Sequence, residues 1–190
     1  LLSERADWIR THVTAAHESA GKRLMLASGE HVYLFGEGLT LFFEDRHGRA
    51  AARREGDRLR LSLDGGEKAP FAARRSLLLR FYAEALSRRV EERLPTVTAT
   101  VGKEPGRVSL RLMRSRWGSC TPATGAIRLN LTLAWYPPEC LDLVLAHELT
   151  HIKRCDTLLK LFTLFVSSVH WLNPMSGVVQ KYVWEDCELA

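Results

Sequence analysis

Residues 147–151 read His-Glu-Leu-Thr-His, and the run that carries them, PPECLDLVLAHELTHIKR, reads as one helix. Pro137-Pro138 open it, where the first turn of a helix tolerates proline. Leu141, Leu143, Val144 and Leu145 make it an apolar, buried helix. On a helix, positions i and i+4 share a face, so the imidazoles of His147 and His151 reach a single point. Glu148 is turned by about 100 degrees from His147 and stays beside that point. Two histidines and an acid on a buried helix are costly unless they are paired or hold a metal. Zinc takes nitrogen ligands and, in catalytic sites, keeps a position open for water, whose pKa it lowers towards about 7. A neighbouring carboxylate then makes a nucleophile of that water, which is the chemistry this spacing serves. The expectation is one Zn2+ per chain on His147 and His151, with Glu148 as catalytic base.

A third ligand has to come from outside the motif. Cys155, Thr157, His170, Glu185 and Glu188 are within reach in sequence. Cys155 continues the i, i+4, i+8 row. Eight residues rise about 12 Å along a helix, so one ion with bonds of about 2 Å cannot take all three. Glu185 and Glu188 are three apart on a later helix, and a helix crossing the motif helix could offer either.

The rest of the chain reads as α+β. Residues 3 to about 19 suit a helix, with Trp8, Ile9 and Val13 near one face. From 22 to 64 the short runs RLMLAS, HVYLFG, LTLFFED and RLRLSL, punctuated by glycines, predict a small antiparallel meander. A long helix follows from Pro70 to Pro95. TVTATVG, RVSLRLMRS and AIRLNLTLAW are β-rich. Beyond the motif helix, 156–171 and 174–189 are helical, divided by Asn173-Pro174. This layout places an N-terminal helix and β-meander subdomain at 1–70 and a catalytic domain at 71–190. The stretch LFTLFVSSVHWL, Leu161 to Leu172, falls short of the about 20 apolar residues of a spanning helix. It reads as a buried core helix, with an interfacial helix as the second reading.

With 190 residues the chain can bury a core without staples. Its net charge of +5 and pI of about 9.2 are compatible with nucleic acid, an anionic surface or acidic substrates. Much of the excess lies in the pairs Arg53-Arg54, Arg74-Arg75 and Arg88-Arg89, which suit solvated faces. The four cysteines, Cys120, Cys140, Cys155 and Cys187, form no CxxC pair, and the charged first residues with no apolar signal-peptide core lead to the expectation of neither a signal peptide nor a transmembrane segment. They are expected to be reduced thiols, in a cytoplasmic protein.

Residues 111–153 carry a more specific signal. The strings Ser115-Arg116-Trp117-Gly118-Ser119-Cys120 and Gly125-Ala126-Ile127-Arg128-Leu129-Asn130, followed by Pro-Pro-Glu and the His-Glu-Leu-Thr-His run, resemble the YgjP-type metal-dependent hydrolases, relatives of SprT-like zincins. The N-terminal part fits the same family more loosely. That family supplies a third histidine six residues after the second, and Thr157 stands there in this chain. The tail is similar to another family. HELTHIKRCDTLLK, His170-Trp171-Leu172-Asn173-Pro174 and Glu185-Asp186-Cys187-Glu188-Leu189-Ala190 resemble the membrane sensor peptidases of the β-lactam-receptor type. There the glutamate of the Cys-Glu-Leu string is the third ligand, which selects Glu188. A YgjP-like body with such a tail is either a natural hybrid or a designed chimera.

Together the resemblances imply a zincin-like metallopeptidase domain of the glutamate kind, acting on a peptide or protein substrate. Zincins lay extended substrate along an edge strand, and segments 107–115 and 125–133 are the candidates here. Arg116 and Trp117, between them, shape the site or contact substrate, unless the arginine bonds carbonyls around a buried Trp. The rival readings are a SprT-like DNA-associated protease, weakly supported by the basic charge, and a noncatalytic zinc-held scaffold.

Overall fold

Leucines at every second position decide the order of the first sheet. In the computed structural model, which describes residues 25–154, 156–170 and 173–189 (backbone alone at 156–158, 174, 188 and 189), it is built from β1 His31–Leu34, β2 Glu37–Asp45, β3 Ala51–Glu55 and β4 Arg58–Leu63. The order is β1-β2-β4-β3, with β4 parallel to β2 and antiparallel to β3. The expected antiparallel meander is therefore corrected to a mixed sheet. Leu59 and Leu61 of β4 are fully buried beside Leu39 and Leu41 of β2. β3 reads Ala-Ala-Arg-Arg-Glu and has nothing comparable to bury, so it takes the edge, where charged side chains belong. Met25–Ser28, expected in a strand, form none. The carboxylate of Glu30 accepts from the N–H groups of Met25 at 3.2 Å and Leu26 at 3.0 Å. The helix expected over 3–19 lies outside the described residues.

The second sheet consists of β5 Arg107–Arg111, β6 Gly118–Thr121 and β7 Ala126–Asn130, in the order β5-β7-β6. β7 is parallel to β5 and antiparallel to β6. Four helices complete the described chain: α1 Phe71–Val101, α2 Pro138–Arg154, α3 Asp156–Val169 and α4 Pro174–Leu189. Short 3-10 turns cover Gly66–Lys68 and Leu131–Trp135.

α1 runs through Pro95, where the sequence predicts a stop, and takes in the Thr/Val run, which forms helix and not the expected strand. A proline here removes one helical N–H, and several contacts offset the loss. Val97 is buried. The hydroxyls of Thr98 and Thr100 donate to the carbonyls of Pro95 and Thr96 at 2.9 and 3.0 Å. Gly102, at φ +73°, ends the helix in the left-handed conformation and donates to Thr98 O at 2.7 Å. Lys153 Nζ donates to Val101 O at 2.6 Å, and Arg93 forks onto Asp142 at 2.9 and 2.5 Å.

The chain divides into two compact units. Among the described residues, one takes 25–85 together with Ala134–Pro137, and is centred on Leu39, Leu41, Leu59 and Leu61. There the N–H groups of Phe35 and Gly36 donate to Ala134 O and Trp135 O at 2.7 and 3.2 Å. The other takes Leu86–Leu133 with the chain from Pro138 onward. Leu86, Ile127, Leu129, Leu133, Leu141, Leu145 and Leu149 are among its most deeply buried apolar side chains.

The reading of Leu161–Leu172 as a buried core helix is not what the structure shows. Leu161, Phe162, Leu164, Phe165 and Val169 of α3 are exposed, while Thr163 is buried. Among the described residues, no helix is long and apolar enough to cross a membrane.

Candidate metal centre

α2 buries Leu141, Leu145, Glu148, Leu149 and Ile152. These recur at helical spacing, so the helix presents one stripe inward and Glu148 falls within it. His147 and His151 stand one turn apart, each half-buried. Their Nε2 atoms are 2.9 Å from each other and the rings meet nearly at right angles, at 84°. Two imidazoles bound to one tetrahedral zinc at 2.0–2.1 Å place their nitrogens roughly 3.3 Å apart. The pair is thus within a few tenths of an ångström of the spacing that the ion requires. The donor type fits too, since neutral imidazole nitrogen is a zinc ligand.

Glu148 is 6% exposed, and what lies against it is Gly118, the first residue of β6. A methyl group at Gly118 would stand 2.6 Å from Glu148 Oε1 and 2.9 Å from Val144 Cγ1. At those distances a side chain here would displace Glu148 and Val144, so glycine is what lets the strand lie this close to them. The Trp-Gly pair in the sequence marks this close approach.

The other residues fall as follows. Arg116 and Trp117 lie in the link before β6, and Trp117 is 46% exposed. An arginine bonding carbonyls around a buried tryptophan is therefore not observed. The side chain that bonds the Arg116 carbonyl is Asn130, at 2.7 Å. Glu188 lies in the last turn of α4, after the fully buried Cys187. Glu185 is exposed, 3.7 Å from Lys181. His170 and Asp186 are exposed, and Thr157 falls in the first turn of α3. Among the described residues, no group of three His, Cys, Asp or Glu is arranged to hold a metal ion. Of the segments expected to offer an edge for substrate, 125–133 is corrected. Its strand β7 is the middle of the sheet, with Ile127 and Leu129 fully buried. Among the described residues the edges are β5 and β6, and β6, which sequence reasoning missed, is the one against Glu148.

The model of the YgjP-like metallopeptidase domain matches residues 1–156. The chain belongs to the YgjP-like metallopeptidase family. The model of the BlaR1 peptidase M56 family matches residues 131–190, so the tail is similar to that family. The two matches share residues 131–156, the segment that contains α2 with His147, Glu148 and His151. No curated protein and no solved structure matches the chain. As a YgjP-like domain the chain is of metallopeptidase type, a class that generally works with a metal ion.

Proposed function

We propose that the chain hydrolyses peptide bonds with one zinc ion held by His147, His151 and Glu188, and with Glu148 as the general base. The observation that carries this reading is the convergence of two imidazole nitrogens, 2.9 Å apart, next to a buried carboxylate on the same helix. Glu188 is favoured as third ligand by the match of the tail to the M56 family and by the buried Cys187, which anchors the last turn of α4. Glu185 is less suited, because it is exposed and beside Lys181.

When bound, zinc supplies polarisation of the scissile carbonyl and a water acidic enough to lose its proton near neutral pH. Glu148 accepts that proton and returns it to the leaving amine. Its burial against Gly118 holds the carboxylate in one place, so little reorganisation is required during the reaction. The outer edge of β6 pairs with extended substrate, main chain to main chain, and Trp117, exposed just before it, lies where substrate side chains would pass.

The test is metal content beside peptidase activity. Wild type and Glu185→Ala are expected to carry about one zinc per chain, and Glu188→Ala to lose it. Glu148→Gln should keep the zinc and lose hydrolysis, which separates an enzyme from a scaffold in which the metal only holds helices together. Full zinc in Glu188→Ala would remove that residue from the ligand set. Undiminished hydrolysis in Glu148→Gln would overturn the mechanism.

A further inference from the structure

Asn130 ends β7 with every hydrogen-bonding position of its side chain in use. Its Oδ1 accepts from the N–H groups of Met113 and Thr132, both at 3.2 Å. Its Nδ2 donates to Met113 O at 3.0 Å and to Arg116 O at 2.7 Å. Its own backbone N–H donates to Trp117 O at 2.8 Å. The side chain is 4% exposed. An amide offers two donors and two acceptor positions, so nothing is left over for substrate or metal.

These bonds converge on one segment. Residues 112–117 connect β5 to β6 and belong to neither strand. Asn130 holds the segment at Met113, where it leaves β5, and at Arg116 and Trp117, where it joins β6. The next residue is Gly118, whose backbone sets the space available to the Glu148 carboxylate. A shift of the Arg116–Trp117 backbone therefore moves the wall against which that carboxylate rests.

We propose that Asn130 is a positioning residue for Glu148, acting through the Arg116–Trp117 backbone and Gly118. The proposal rests on the reading of Glu148 as base. Asn130→Asp keeps the size of the side chain and removes both donors, so a carboxylate oxygen would face Met113 O and Arg116 O. Misplacement of a catalytic group by about 1 Å can cost on the order of 100-fold in rate, whereas zinc binding and substrate pairing need not change.

The experiment compares wild type, Asn130→Asp and Gly118→Ala by zinc content, by kcat and KM on an internally quenched peptide, and by amide hydrogen exchange followed peptide by peptide. For Asn130→Asp the expected result is about one zinc per chain, KM within about twofold, kcat lower by about 10- to 100-fold, and faster exchange confined to residues 112–121. Gly118→Ala should give the same loss in kcat without loss of zinc, because it alters the same contact directly. It also keeps the proposal open to refutation should Asn130→Asp fail to fold. A normal kcat in either variant would overturn the proposal. So would a loss that appears only in KM or that follows loss of zinc, since Asn130 would then serve substrate or the metal helix instead. An inactive wild type would sink the peptidase reading and this inference together, whereas an active wild type beside an equally active Asn130→Asp would sink the inference alone.

Discussion

Tyr82 is 2% exposed and lies edge-on to Trp135, ring centroids 6.2 Å apart, within the first unit. Burial pushes its hydroxyl well above the ordinary tyrosine value of 10.0. The unfolded chain therefore gives up this proton first as pH rises. Tyr82 contributes its full stability below pH 10 and withdraws it above, by up to about 1.4 kcal/mol per pH unit. Urea midpoints taken between pH 9 and 11 should fall less steeply in Tyr82→Phe than in wild type, and equal slopes would contradict this. The residues of the site differ in how much of them the sequence carries. His147, Glu148 and His151 are legible because one helix fixes their geometry, whatever surrounds it. Gly118 and Asn130 are not, because their meaning depends on segments far apart in the chain, Gly118 against Glu148 and Asn130 against Met113, Arg116 and Trp117. A glycine at the start of a strand says that something comes close, without saying what.

Among the elements, α3 and α4 present a surface whose chemistry does not match its exposure. Residues 161–180 contain no Asp, Glu, Lys or Arg. Phe162 and Phe165 are 63% and 66% exposed, and Met175, Val178, Val179 and Tyr182 of α4 are exposed as well. Apolar surface of this kind drives association in water. Replacing both Phe162 and Phe165 by Ser should lower light scattering at a given protein concentration while zinc content is retained. Unchanged scattering would mean that the face does not govern solubility. The sequence showed α3 to be a short apolar helix, but periodicity does not reveal what a helix packs against. α1 teaches the complementary lesson. Pro95 and the Thr/Val run after it argue locally for an end to the helix, while buried Val97 and the Arg93–Asp142 and Lys153–Val101 bonds carry it on to Val101. The bounds of α2 were legible because proline placement and length agree, although Leu143, read as part of its buried face, is exposed.

At the scale of the molecule, the proposed zinc ligands all belong to the second unit. Chelation should therefore quicken amide exchange in α2 and α4 and leave β1–β4 protected, because a ligand stabilises the structure it binds. Equal loosening of both units on metal removal would show that the ion supports more than its own unit. The α+β class was legible in the alternation of patterns along the chain. The strand order was not, because β4 lies between β2 and β3, its neighbours on either side in space and both earlier in sequence. This has a consequence for a chain emerging from a ribosome. Until Leu63 has left the tunnel, the inner edge of β2 stays bare, and β3, already made, has no partner in the sheet. Gly56-Asp57 then turns β4 back along β3. A local hairpin forms faster than a distant parallel pairing, so β3 and β4 are expected to pair with each other before β4 meets β2.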